Sequence, residues 1–336
     1  MLPESSWIWS HEGGIADLVR LLIVMISYVF VAVWLVAHLI RALVPRPALV
    51  TIRYSHYCEV ARWALQARGI AFTELGLPVG PHVLFGLLRF VCSYRSIGAA
   101  MPQSSHPGSD LDDLPPWLRI ADLRRLTRVP FYLSAGSDGR VLGDSWSVLE
   151  EACQFEVHAR FKRTLDEEVG PDVRRLCYYH VLRMDPSHYC ALQGSDAAST
   201  TLSAPRLEAF LFVAWERLFG VKAVLSRVCD VSEGAVAAAE VRLRAAFDAV
   251  GAVLAADPYL SSGDGGADFG GADLAWSALV GVLLLPPQYS QGAVPGGLPA
   301  ASEWPVAFRS LHDELKATRA GKHALRCYVE HRAVTA

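Results

Sequence analysis

Four residues at one strand end concentrate the chemistry in this chain: Ser55-His56-Tyr57-Cys58 closes the run ALVTIRY and opens the helical stretch EVARWALQARG. A helix start presents unpaired backbone N–H groups and the positive end of the helix dipole, so a thiolate held there is stabilised. A hydroxyl one hydrogen bond from a bound thiol lowers its pKa and favours the nucleophilic form. Tyr54 and Ser55 both carry hydroxyls at this boundary, and Cys58 adds a thiol one turn in. Each has a plain structural reading as well. Serine at a strand-to-helix boundary caps the helix, and a cysteine one turn in serves as a small buried residue.

The elements that must position these groups follow from local pattern. ALVTIRY reads as a buried strand, and Val60, Ala61, Ala64 and Leu65 form the apolar stripe of a helix with Gly69 as its C-cap. IAFTEL reads as a second strand, which makes a βαβ unit and predicts parallel pairing. Further on, VPFYL and RVLGD flank a Gly-Ser-Asp-Gly turn and read as a hairpin. SWSVLEEACQF then starts a helix with Asp144 or Ser145 near its N-cap. From about Glu156 helical periodicity takes over in VRRLCYYHVLR, LEAFLFVAWERLFGVKAVLSRV, GAVAAAEVRLRAAFDAVGAVLAA and FGGADLAWSALVGVLLLPPQY, the last stopped by Pro286-Pro287.

On these residues the chain resembles the glutathione transferases. Ser55-His56-Tyr57-Cys58 resembles the C-P-Y-C of glutaredoxins with serine in place of the first cysteine, and SHYCEVARWALQARGIAFTE resembles the first turn and helix of the soluble transferases. Val129-Pro130 falls where that family has a cis-proline, and Asp144-Ser145 matches its acidic-residue-plus-serine pair. The resemblance implies an α/β thioredoxin-like domain followed by an all-α helical domain, with glutathione as co-substrate and no metal. It further implies that Ser55, or else Tyr54, is the catalytic hydroxyl. Tyr57, Val129 and Pro130 would join Ser55 around the peptide, with the backbone before Pro130 pairing with the cysteinyl part. Ser145 and its helix start would bind the γ-glutamyl carboxylate, and Asp144 would face the γ-glutamyl amine. The expected partner is an apolar electrophile bound between the domains, and a homodimer is compatible with this family. FGGAD resembles the family's helix-starting capping box, with Asp273 in place and Gly270 where Ser or Thr is usual, so one side-chain bond of the box is lost.

The register of the resemblance is not perfect. The stretch from Gly76 to Arg128 is longer than in the family and contains the Pro/Ser/Asp-rich MPQSSHPGSDLDDLPP, an insertion at about 78–119. Without a first cysteine, dithiol chemistry is disfavoured, which weighs against a glutathione-dependent thiol reductase acting through Cys58. A noncatalytic adaptor of the same fold, docking proteins at a membrane, remains the reading from another class. Arg174 and Arg175 either pair with acids of a neighbouring helix or face the cleft. SSGDGGADFGG lacks the Gly-Lys-[Ser/Thr] ending of a phosphate loop and carries two aspartates.

Ahead of all this, LLIVMISYVFVAVWLVAHLI carries no Asp, Glu, Lys or Arg and is apolar on every face. Its length is what a helix needs to cross a bilayer. The leader is acidic (Glu4, Glu12, Asp17) and no A-x-A site follows, which argues against a cleaved signal peptide. Arg41, Arg46 and Arg53 follow the span while only Arg20 precedes it, so the body is expected on the cytoplasmic side of a single-pass protein, touching lipid through this helix. The expected layout is a tail at 1–17, a transmembrane helix at 18–44, a thioredoxin-like domain at 48–155 and a helical domain at 156–330. A net charge of −3 with no basic stripe excludes a phosphate-neutralising nucleic-acid partner. Seven scattered cysteines suit free thiols in a reducing compartment rather than a disulfide scaffold.

Overall fold

ALVTI forms strand β1 (Ala48–Ile52), whose five residues are all buried, as expected for the central strand of a sheet covered on both faces. The computed structural model describes residues 47–77, 130–134, 141–183, 221–260, 268–290 and 298–332, all within one compact unit. The expected membrane span at 18–44, the insertion at 78–119 and Val129 lie outside the described residues. Among the described residues no helix is long and apolar enough to cross a membrane.

Helix α1 (His56–Ala67) leads from β1 to β2 (Thr73–Leu77), which pairs parallel with β1 from Ala48–Thr73 to Ile52–Leu77. Gly69 takes the left-handed φ of +63° beyond the helix end, the role glycine fills at no steric cost. On the other side of β1, β3 (Phe131–Leu133) runs antiparallel, and β4 (Val141–Leu142) runs antiparallel to β3. The order β2-β1-β3-β4, with β3 alone reversed, is a thioredoxin-like sheet. Helix α2 follows β4 as Ser145–Ser147 and continues as a π-helical stretch, Val148–Ala152.

The rest of the described chain is helical. Helix α3 (Ala159–Thr164) passes through a π-helical stretch, Leu165–Val169, into α4 (Gly170–Val181). Then come α5 (Val221–Val228), α6 (Glu233–Val253), α7 (Gly271–Leu284), α8 (Val306–Ala317) and α9 (Arg319–His331). The last two go beyond the helices predicted from the sequence. Helix α8 buries Phe308, Leu311, His312 and Leu315, the i, i+3, i+4, i+7 stripe of an amphipathic helix.

Sheet half and helical half share one hydrophobic core. Its centre is α7, buried at all fourteen positions. Trp63 of α1 meets Tyr328 of α9 with ring centroids 4.6 Å apart, and Trp276 of α7 meets Phe247 of α6 at 4.9 Å. Gly271 lets the start of α7 approach closely, because a Cβ there would lie 2.6 Å from the Glu156 carbonyl oxygen. Asp273 accepts the Gly270 N–H at 3.1 Å, the half of the capping box that glycine leaves intact, and also the Leu260 N–H at 2.7 Å.

Four charges lie inside this core. Arg62 donates from Nε to Glu74 Oε2 at 2.8 Å, from Nη2 to Glu74 Oε1 at 2.6 Å and to the Arg53 carbonyl at 3.1 Å, and from Nη1 to Glu59. Glu59 accepts from Arg332 Nε at 3.0 Å, while Arg332 Nη1 reaches Gln66. Thr51 donates to Glu74 at 2.6 Å. The side chains of Glu59, Arg62 and Arg332 are wholly excluded from solvent. Burial alone would raise the Glu74 pKa, but the charge and hydrogen bonds of Arg62, with Thr51 and Arg332, hold it below its usual value. The network joins β1, α1, β2 and the end of α9. Removing one member strands its partners as uncompensated buried charges, at a cost of about 3–5 kcal/mol. Glu59→Gln is therefore expected to lose stability on that scale in denaturant unfolding followed by tryptophan fluorescence, and Arg332→Gln to lose a comparable amount.

Candidate functional site

Strand register gathers the predicted motifs at one edge of the sheet. Ser55 follows the C-terminal end of β1. Pro130 is one step from the Val50–Phe131 pair, because β3 runs backwards and starts where β1 ends. Strand β4 runs in the same direction as β1 and stops at Leu142, two residues before Asp144. Ser55, Pro130, Asp144 and Ser145 thus share the edge where α1 and α2 begin.

Ser55 is the N-cap residue of α1, with extended φ −73° and ψ 128°, but its hydroxyl makes no cap bond to the helix. Only its backbone serves the start: the N–H donates to the Ile52 carbonyl at 2.9 Å and the carbonyl accepts from Glu59 N–H at 2.9 Å. The side chain is partly exposed. At α2 the roles divide differently. Asp144 is the cap, accepting the Ser147 N–H at 2.7 Å and the Ser147 hydroxyl at 3.2 Å, and Ser145 behind it is buried. Capping thus falls to Asp144 rather than to Ser145.

The other residues of the first turn face the helical half. His56 is buried and donates from Nε2 to the Gly170 carbonyl at 3.0 Å. Burial, aided by the charge of Arg174 and only partly offset by the Gly170 bond, lowers its pKa to about 3. Tyr57 lies against Gly170 at the start of α4, where its hydroxyl leaves no room for a Cβ. Tyr54 is partly buried against Ile52 and Cys58, and its carbonyl accepts from the Tyr289 hydroxyl at 3.0 Å.

Cys58 has no exposed surface, and its sulfur accepts the Ile52 N–H at 3.4 Å. Burial pushes its thiol up to about 12, against the opposing effects of Arg62, the Ile52 N–H and Ser55. A protonated, enclosed thiol is a poor nucleophile, which weighs against a reductase acting through Cys58.

Arg174 and Arg175 part company. Arg175 pairs with Asp172 and donates to the Asp230 carbonyl at 3.0 Å, while Arg242 binds the same Asp172 carboxylate through two bonds of 2.7 Å. Arg174 has a buried Nε with no acceptor and pairs with no acid among the described residues.

Asp273, His323 and Cys327 place ligand-type atoms within 4.8 Å of one another. Arg326 donates to His323 Nδ1 at 3.1 Å, so Nε2 carries the ring proton and gives it to Asp273 at 2.9 Å. Cys327 approaches the same Nε2 at 3.5 Å. The trio braces α7 against α9 by hydrogen bonds, with the nitrogen a metal would need already protonated. Neither this brace nor the four-charge network was anticipated from the sequence. The network's only sequence signal is a pair of opposite charges, Glu59 and Arg62, inside the apolar run of α1.

No protein-family model matches the sequence, and no curated protein matches it. Among solved structures the chain is similar to FzlA from C. crescentus, at 12% identity and a TM-score of 0.33, over 87% of this chain and 97% of that one. It is likewise similar to a glutathione S-transferase from Sinorhizobium meliloti 1021, at 13% identity and a TM-score of 0.32, with the same coverages. At these values neither likeness assigns a function, and the thioredoxin-like sheet stands on the strand order and register above.

Two outcomes test this geometry. In the folded protein at pH 8, iodoacetamide is expected to leave Cys58 unmodified by mass spectrometry and to label it fully in urea. His56 binds a proton more readily unfolded (about 6.5) than folded (about 3), so its contribution is complete above about pH 6.5 and is lost as pH falls toward 3. That loss is about 2 kcal/mol by pH 5. His56→Gln, which keeps a donor for Gly170, should flatten this part of the stability–pH profile.

Proposed function

We propose that the chain binds glutathione along this sheet edge and conjugates it to an electrophile. The observation that carries the reading is the Ser55 hydroxyl: it stands at the start of α1, partly exposed and not used as a cap, on the edge that also holds Pro130, Asp144 and Ser145. With the peptide thiol at that point, Ser55 donates a hydrogen bond to the thiolate and the first N–H groups of α1 add to its stabilisation. The thiol proton leaves to solvent, the thiolate attacks the electrophilic carbon, and the leaving group departs with its bonding electrons. The backbone of Val129, ahead of Pro130, pairs with the cysteinyl unit. Ser145 and the start of α2 receive the γ-glutamyl carboxylate, and the partly exposed Asp144 carboxylate faces the amine. The N-terminal span would tether this body on the cytoplasmic side, near membrane-dissolved electrophiles.

The full chain in detergent is expected to bind immobilised glutathione, with Ser145→Ala at least tenfold weaker. Ser55→Ala should lower kcat/KM about a hundredfold and raise the thiol pKa of bound glutathione, read from thiolate absorbance, whereas Tyr54→Phe should change neither. A wild type that does not bind glutathione would sink the reading. Binding with no conjugation of any electrophile would turn it toward the noncatalytic adaptor.

A further inference from the structure

An arginine with no ion-pair partner among the described residues stands on α4, the helix whose start packs against the first turn of α1. Gly170 and Arg174 are four residues apart, hence on one face of α4. Gly170 meets His56 and Tyr57 of the α1 first turn, so Arg174 lies one helical turn further along the face that looks at the Ser55 end. Its charge acts on both His56 and Cys229. No acid offsets it. Other arginines with an idle nitrogen have partners elsewhere on the same group: Arg332 on Glu59, and Arg326 on the Pro258 carbonyl and Glu330. Arg174 has a buried Nε without an acceptor and, among the described residues, no ion pair at all.

Guanidinium stays charged at any working pH and offers paired N–H groups matched to a carboxylate. A partly buried cation with an unmet donor is costly to maintain and calls for a partner that the folded chain does not supply. We infer that Arg174 is a specificity-determining residue that takes a carboxylate on the electrophile, so that the substrates are apolar compounds bearing one anionic group. For the reaction, though not for the binding, this rests on the transferase reading. The carboxylate of the electrophile is favoured over that of glutathione because Arg174 projects from the helical half, whereas the peptide contacts lie on the sheet edge.

The test uses the full chain and a matched pair, 4-chloro-3-nitrobenzoate and 4-chloro-3-nitrobenzamide, which react at the same carbon: the C–S bond forms, chloride leaves with the bonding electrons, and the thiol proton goes to solvent. Arg174→Gln is expected to lower kcat/KM for the benzoate roughly ten- to a hundredfold, leaving the benzamide value and the KM for glutathione unchanged, while Arg174→Lys recovers part of the loss. Equal losses on both substrates, or a raised KM for glutathione with the benzamide, would overturn the inference. Calorimetric binding of 3-nitrobenzoate and 3-nitrobenzamide separates the two proposals. If wild type conjugates neither chloro compound yet binds 3-nitrobenzoate at least tenfold more tightly than the amide, and Arg174→Gln abolishes the difference, the transferase reading fails and the Arg174 site stands. If wild type does not discriminate the two in binding, the Arg174 site fails whatever the turnover.

Discussion

Everything at the sheet edge depends on α1 being held at a fixed height and rotation, and what holds it is a set of buried charges. Glu59 and Glu74 carry two negative charges, Arg62 and Arg332 two positive ones, and the sum inside the core is zero. Attraction between charges in a low-dielectric interior is strong and sensitive to geometry, and each of these groups would be prohibitively costly alone. A hydrophobic contact would tolerate a small rotation of α1. The forked bonds of Arg62 to Glu74, Glu59 and the Arg53 carbonyl do not. Ser55 lies one turn before Glu59, so the network sets where its hydroxyl stands.

The same helix divides its labour along its length. Its first turn offers Ser55 to the sheet edge and docks His56 and Tyr57 onto Gly170. Its middle packs Trp63 among aromatic rings of the helical half. Cys58, which in a dithiol enzyme would be chemically active, here fills space beside Ile52. Burial has turned the thiol of a redox-like motif into packing, and the partly exposed serine before it, which does not cap the helix, is what remains for chemistry.

Much of this was legible in the sequence, because local chemistry fixes local elements. The βαβ unit, the Gly69 terminus, the β3–β4 pairing, the Asp144-or-Ser145 helix start and the Pro286-Pro287 stop each rest on a few adjacent residues, and each appears where expected. The choice of Asp144 over Ser145 as the cap was not decidable, since either side chain can accept an N–H bond. What stayed hidden is non-local. Glu59 and Arg332 are 273 positions apart, and no periodicity links them. The brace of Asp273 with His323 likewise joins two helices 50 positions apart. The difference between Arg174 and Arg175 depends on which side of α4 finds Asp172 and Asp230, and adjacent identical residues carry no sign of that.

The position of Arg332 has a consequence for how the molecule is made. On the ribosome, β1, α1 and β2 emerge with Glu59, Arg62 and Glu74 among them, but the second arginine of the set lies 273 residues after Glu59 and follows the helices α3 to α9. Until then the sheet half holds one more acid than base in the place that becomes its core. An N-terminal half that closed first, as independent domains commonly do, would hold Glu59 and Glu74 against Arg62 alone. The pairing of Arg332 with Glu59 completes the network, so the charge balance of the core depends on α9 as much as on the sheet.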